Sequence, residues 1–318
     1  MGATAVAEQQ RASPGWRAMG LATLFLTWAL MVMGALTRAS QAGVSCPDWP
    51  LCHGYLVPPL SQGAYPADPL YAVHKVYLEF VHRVLAALVS VGAVAVAWRT
   101  WKAGRRGLTL TVLGTLALQV AMGAATVWLR NAPYTVVVHL ALALGFLAAL
   151  AAAHRQVLAP SLRTRARALG TGTAAVLALL VAQMLVGAAV SSGYFALACS
   201  QFPLCEDGAL LPADWTEGLV WQMAHRGLGA LVLVAALGMA ARAWRAGHDR
   251  VLWLSVSAGI LVQALLGGLN VWLRVPPWAS AAHLGLAAIL FATLVLRLAR
   301  RAGSQALPQR APSLDRAA

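Results

Sequence analysis

Eight stretches of this chain are each long and apolar enough to cross a bilayer: approximately 17–37, 73–98, 108–129, 134–153, 168–190, 217–241, 251–273 and 278–297. A helix needs about 20 apolar residues to span the hydrocarbon layer. Only a helix or a closed barrel satisfies its own backbone there. Runs this long, rich in Ala, Leu and Val and without period-two alternation, exclude the barrel. Of 318 residues, 60% are hydrophobic and 11% charged, against about 25% charged in an ordinary soluble domain. The sequence therefore predicts an all-α integral membrane protein with eight transmembrane helices. The first span lacks a small-residue cleavage pattern at its end and reads as a retained helix rather than a signal peptide.

A formal charge of +14 would suggest nucleic acid in a soluble chain, but here its distribution gives another account. Arg11 and Arg17 precede the first span, and Arg99, Lys102, Arg105 and Arg106 follow the second. Arg155, Arg163, Arg165 and Arg167 follow the fourth, Arg242, Arg245 and Arg250 the sixth, and Arg297, Arg300 and Arg301 close the eighth. The positive-inside rule makes these alternate loops cytoplasmic, and most acids lie in the opposite ones: Asp48, Asp68, Glu206, Asp207, Asp214 and Glu217. Both termini are expected inside, with no nucleic-acid surface implied. All four cysteines fall in two outer loops, "CPDWPLC" (Cys46 to Cys52) and "CSQFPLC" (Cys199 to Cys205), on the side where disulfides persist.

These loops belong to a longer internal correspondence. "EFVHRVLAALV" from Glu79 matches "QMAHRGLGALV" from Gln222, and "LQVAMGAATVWLR" ending at Arg130 matches "VQALLGGLNVWLR" ending at Arg274. The offset is 153 at the cysteines and 143–144 at the histidines. Each unit carries four spans, so both copies face the same way: two tandem, parallel-duplicated four-helix bundles, unlike the inverted repeats of many transporters.

Four of the eight histidines survive this correspondence: His82, His139, His225 and His283. A single membrane histidine is as well explained by a hydrogen bond to a neighbouring helix. Two at equivalent places in each bundle favour a haem held by an axial imidazole from either side. Zinc would want more ligands than a pair. Arg83 and Arg226 directly follow two of the histidines, and Arg130 and Arg274 end the third helix of each unit. With Arg38, which closes the first helix, they are candidate partners for haem propionates, or snorkelling residues at the interface. The halves differ at one position. Glu79 stands three residues before His82 and Gln222 three before His225, so only one site has a carboxylate on the histidine's helix face. Lys75, one turn earlier, is its expected ion-pair partner in the purely structural account; in the functional one the first half is the reaction centre. His53 and His74 are expected in outer loops, and His154 and His248 in cytoplasmic solvent.

At Glu79-x-x-His82-Arg83, His139, His225-Arg226, His283 and the two Cys-x5-Cys loops, the sequence resembles the heme A synthase family, in its cysteine-bearing bacterial kind. The resemblance covers about residues 17–300. It implies a membrane-bound oxidoreductase that converts haem O to haem A for cytochrome oxidase by successive hydroxylation of a ring methyl to a formyl. It implies that His82 and His139 face haem O, the substrate, with Glu79 acting near the methyl, and that His225 and His283 ligate a resident haem b. It places the protein in the bacterial inner membrane. By pathway its partners are the haem O synthase and cytochrome oxidase assembly factors; self-association stays open.

The expected organisation is a cytoplasmic segment 1–16, a catalytic half 17–156, a basic linker 157–167, a haem b half 168–301 and a disordered tail 302–318. The loops offer two thiolates each without a histidine at zinc-like spacing, so disulfides Cys46–Cys52 and Cys199–Cys205 are expected. Closing so short a loop constrains the unfolded chain by roughly 2 kcal/mol, enough to shape a lid. Cys46 and Cys52, over the site with the carboxylate, are also candidates for passing electrons or transiently holding the haem. Two rivals remain. A dihaem b-type electron carrier usually needs haems near opposite faces, whereas here all four histidines fall on one side. A quinone-linked thiol oxidase favours Cys-x-x-Cys, which is absent.

Overall fold

The computed structural model describes residues 13–158, 170–205 and 208–305. Its helices are α1 (Pro14–Ala39), α2 (Val73–Lys102), α3 (Arg106–Trp128), α4 (Pro133–Ala153), α5 (Gly170–Ser192), α6 (Glu217–Ala246), α7 (Arg250–Trp272) and α8 (Pro277–Gln305). All eight are long and apolar enough to span a membrane, so this is a multi-pass membrane protein, and no strand occurs among the described residues. Proline opens α1, α4 and α8, where its missing N–H is no loss. Thr216 caps α6 by accepting from the Leu219 N–H, and Gly247 at φ 75° ends that helix.

Within each half the chain runs round a ring. Helices α1, α2, α3 and α4 pack in sequence and α4 closes on α1; α5 to α8 do the same, with α8 closing on α5. The halves meet through α1 on α8, α4 on α5 and α4 on α8. Thus corresponding helices make corresponding contacts across an axis between α4 and α8. Met31, Leu144, Leu147, Leu180, Met184, Trp253, Phe291 and Leu294 form the shared core. Val89, Val96, Val112, Phe146 and Leu150 fill the basic end of the first half.

Two details differ from expectation. His154 is 8% exposed rather than solvated, because a π-helical turn, His154–Leu158, prolongs α4 and brings the imidazole against Gly20 of α1. The last helix continues through Gln305, past the expected start of the tail at 302. The rest of that tail, and linker residues 159–167, lie outside the described residues. His248 is half-buried beside Asp249, whose carboxylate pairs with Arg297.

The interface between halves is tight at Gly285, whose carbonyl accepts from Trp28 Nε1 at 2.9 Å. A methyl there would lie 2.9 Å from Val32 Cγ2. Gly285→Val is expected to cost about 1–3 kcal/mol by overpacking. Thermal unfolding in detergent should show a lower midpoint for it but not for Gly114→Val, which meets no neighbour within 4 Å.

Candidate functional site: two histidine layers beneath disulfide loops

Both bundles carry half-buried side chains at one depth. No side chain is fully buried between Glu79 and Val89 in α2, Thr135 and Ala143 in α4, or Gln222 and Val232 in α6, whereas in α8 the half-buried His283 stands between buried Ala281 and Gly285. The four corresponding histidines lie near this level: His82, His139, His225 and His283 sit roughly 9–14 Å along α2, α4, α6 and α8 from the end that carries the cysteines, at 1.5 Å per residue. Each ring is half-buried, and each Nδ1 is buried without a hydrogen-bond partner.

Each imidazole lies against a glycine of the preceding helix. A methyl on Gly34 would stand 3.0 Å from His82 Cε1; on Gly187, 2.8 Å from His225 Cε1; on Gly123 and Gly267, 3.4 Å from the Cε1 of His139 and His283. Four residues before each glycine stand Leu30, Gln119, Gln183 and Gln263 in turn, one helical turn away on the same face. Gln119 Nε2 is 3.2 Å from His139 Nε2, and Gln183 Nε2 is 3.4 Å from His225 Nε2. Gln263 instead donates to the His283 carbonyl at 2.7 Å. These glutamines were not singled out from sequence, although Gln-x-x-x-Gly before each of three histidines was the available signal.

The donor set suits a haem. Imidazoles bound at about 2 Å to opposite sides of one metal ion put their ring centroids about 6 Å apart. Those of His225 and His283 are 6.3 Å apart. Among the described residues no group of three or more His, Cys, Asp or Glu comes together, so each layer offers a histidine pair.

Above each layer sits a closed cysteine loop. Cys46 and Cys52 are joined by a disulfide, as are Cys199 and Cys205, and all four are buried. Glu79, 3% exposed, turns toward the first loop: one oxygen accepts from the Cys46 N–H at 2.7 Å and the other pairs with Arg83 at 2.6 Å. Its ion-pair partner is therefore Arg83 at i+4 rather than the expected Lys75. The remaining terminal N–H groups of Arg83 donate to the carbonyls of Cys46, Asp48 and Leu51. Gln222 repeats the arrangement without charge, accepting from the Cys199 N–H and donating to Ala196 O at 2.7 Å. Arg226 donates to the carbonyls of Gln201, Pro203 and Leu204.

Arg83 and Arg226, expected as propionate partners, thus spend their guanidinium donors on the loops. Arg38 is likewise engaged, with the carbonyls of Ser191 and Ser192 and over the Tyr194 ring. Arg130 and Arg274 are exposed at the ends of α3 and α7. Arg130 and Arg38 line a cavity of about 650 Å³ between the halves. His53 is fixed inside the first loop, Nε2 2.8 Å from Ser45 O and its ring between Tyr65 and Tyr71; His74 is exposed.

Asp48 secures that loop, accepting from the N–H groups of His53 (2.6 Å) and Gly54 (2.7 Å). Burial alone would push its carboxyl up, but these bonds and Arg83 outweigh it and hold the pKa below the ordinary 3.8. Its contribution is accordingly present above the ordinary carboxylate value and lost as pH falls through the lowered one. Asp48→Asn, worth about 1 kcal/mol of loop stability, should speed reduction of Cys46–Cys52 about fivefold at neutral pH and leave Cys199–Cys205 unchanged. Timed alkylation after mild reductant, read by mass spectrometry, checks this.

The profile of the COX15-CtaA family, described as a cytochrome oxidase assembly protein, matches residues 17–295. Curated relatives agree over most of their length. A Heme A synthase of Shewanella oneidensis is 28% identical over 86% of this chain and 92% of its own. Those of Geobacillus thermodenitrificans and Brucella ovis are each 26% identical, over 83% and 85% of this chain and 84% and 86% of their own. With its eight spans and paired histidine layers, the chain belongs to the COX15-CtaA family of cytochrome oxidase assembly proteins.

Proposed function

We propose that this protein is a membrane oxidoreductase that converts haem O to haem A, oxidising a ring methyl to a formyl. Its substrate lies between His82 and His139, and a resident haem b between His225 and His283. One observation carries the division of labour: the histidine layers match position for position, yet only the first has a buried carboxylate, Glu79, one turn from a histidine. The Heme A synthase relatives support the reaction. The tandem match of the halves supports a duplication of one four-helix unit.

The bound haem iron supplies the oxidising chemistry that no side chain offers. The residues of the chain orient and enclose. His82 and His139 set the plane and depth of the ring from opposite helices, and Gly34 and Gly123 let the imidazoles lie close to the helix backbones. The loop held by Arg83 and Glu79 covers the layer and limits water. Glu79 carries negative charge beside the reacting edge, where it stabilises positive charge developing at the oxidised carbon. Arg83 pairs with Glu79 at 2.6 Å and offsets the cost of burying a carboxylate at this depth.

The basic residues at the end of the bundle opposite the cysteine loops support an inner-membrane orientation with both termini cytoplasmic and the loops outside. Haem O then enters from the membrane, consistent with a haem O synthase as the upstream partner. All four histidines lie toward one end, which disfavours a carrier moving electrons across the bilayer.

Two measurements test this. Co-expression with a haem O source, followed by haem extraction and chromatography, should yield haem A together with b and O; haem b alone would point to the carrier. Gln222 holds the Cys199 N–H as Glu79 holds that of Cys46, so Glu79→Gln should keep the loop closed and the haem content normal. Haem A production should nonetheless fall by about a hundredfold or more, as expected for one transition-state charge interaction. A normal rate in that variant would remove Glu79 from the chemistry.

A further inference from the structure

The three glutamines of the histidine layers are committed differently. Gln119 reaches the ring nitrogen Nε2 of His139, and Gln183 that of His225, at 3.2 and 3.4 Å. Gln263 donates to the His283 backbone carbonyl at 2.7 Å, and the residue facing His82 is Leu30, whose side chain carries no polar group. Each layer therefore contains one imidazole whose Nε2 is met by an amide and one whose Nε2 is not. The amide oxygens of all three glutamines are buried without a partner, so what sets Gln119 and Gln183 apart is the ring nitrogen that each reaches. Whichever way these amides are turned, each has a polar atom within reach of the ring nitrogen and little else to bond.

We infer that Gln119 and Gln183 are positioning residues that hold His139 and His225 whenever these imidazoles leave the haem iron, so that each haem has one exchangeable and one fixed ligand. This rests on the haem reading above. An imidazole released into a dry layer without a partner is penalised, and it returns to the metal at once. An amide within hydrogen-bond reach offsets that penalty and keeps the coordination position open for longer. His82 and His283 have no side-chain amide at Nε2 and stay as anchors. The exchangeable ligand lies on α4 in the first half but on α6 in the second, although the helices correspond.

The test is carbon monoxide binding to the reduced full-length protein in detergent, followed by stopped-flow absorbance. Wild type should show two phases. Gln119→Leu, which places at α3 the residue that α1 already carries at Leu30, should slow one phase roughly three- to tenfold, the worth of one neutral hydrogen bond. Gln183→Leu should slow the other. Leu30→Gln adds an amide opposite His82 and should speed the phase that Gln119→Leu slows, which keeps the test decisive if one variant accumulates poorly. A preparation without a bis-imidazole haem spectrum would overturn the haem reading and this inference with it. A normal spectrum with both phases unchanged in every variant, or with the same phase altered by Gln119→Leu and Gln183→Leu, would overturn the inference alone.

Discussion

The contact between an imidazole and a glycine one helix away sets the rest of this molecule. Helices in lipid associate by close packing rather than by expulsion of water, so a ring as large as imidazole would normally push neighbours apart. Gly34, Gly123, Gly187 and Gly267 remove that conflict. The hairpins stay closed while the histidines point into the bundle. Below this level the helices are tied by Val89, Val96, Phe146, Trp253 and Leu294; above it they are tied by the cysteine loops. The histidine layer is the looser zone between two fixed ones.

The roof is built around a buried ion pair in one half and a neutral amide in the other. A buried pair is costly unless its remaining donors and acceptors are used. Here Arg83 is satisfied by three loop carbonyls and Glu79 by the Cys46 amide. Loop and ion pair therefore share one set of hydrogen bonds. In the second half Gln222 performs the same backbone task without a charge, leaving Arg226 to the loop carbonyls alone. The difference between the halves is thus electrostatic, while the hydrogen-bond pattern is kept.

Much of this was legible before any coordinates. The spans follow from length and hydropathy, and the four histidines follow from the internal match. Both signals are periodic or repeated, and neither needs a partner's position to be known. What escaped was pairwise. Lys75 and Arg83 are each one helical turn from Glu79, and only the loop carbonyls around Arg83 decide between them. His154 looked solvated because it follows an apolar run, but a π turn folds it back under α1. The glutamines looked like ordinary polar residues of membrane helices until their glycine and histidine partners were seen together.

The recurrence of Gln or Leu, then Gly, then a facing histidine happens four times, once in each of α1–α2, α3–α4, α5–α6 and α7–α8. The smallest structural module is therefore a single helical hairpin contributing one imidazole, and a four-helix half is two such modules facing each other. In that description every histidine pair is a seam between hairpins, and the character of each seam is set by which two hairpins meet. Functional divergence then requires no new scaffold, only a change in one wall of one seam, as at Leu30 and Glu79.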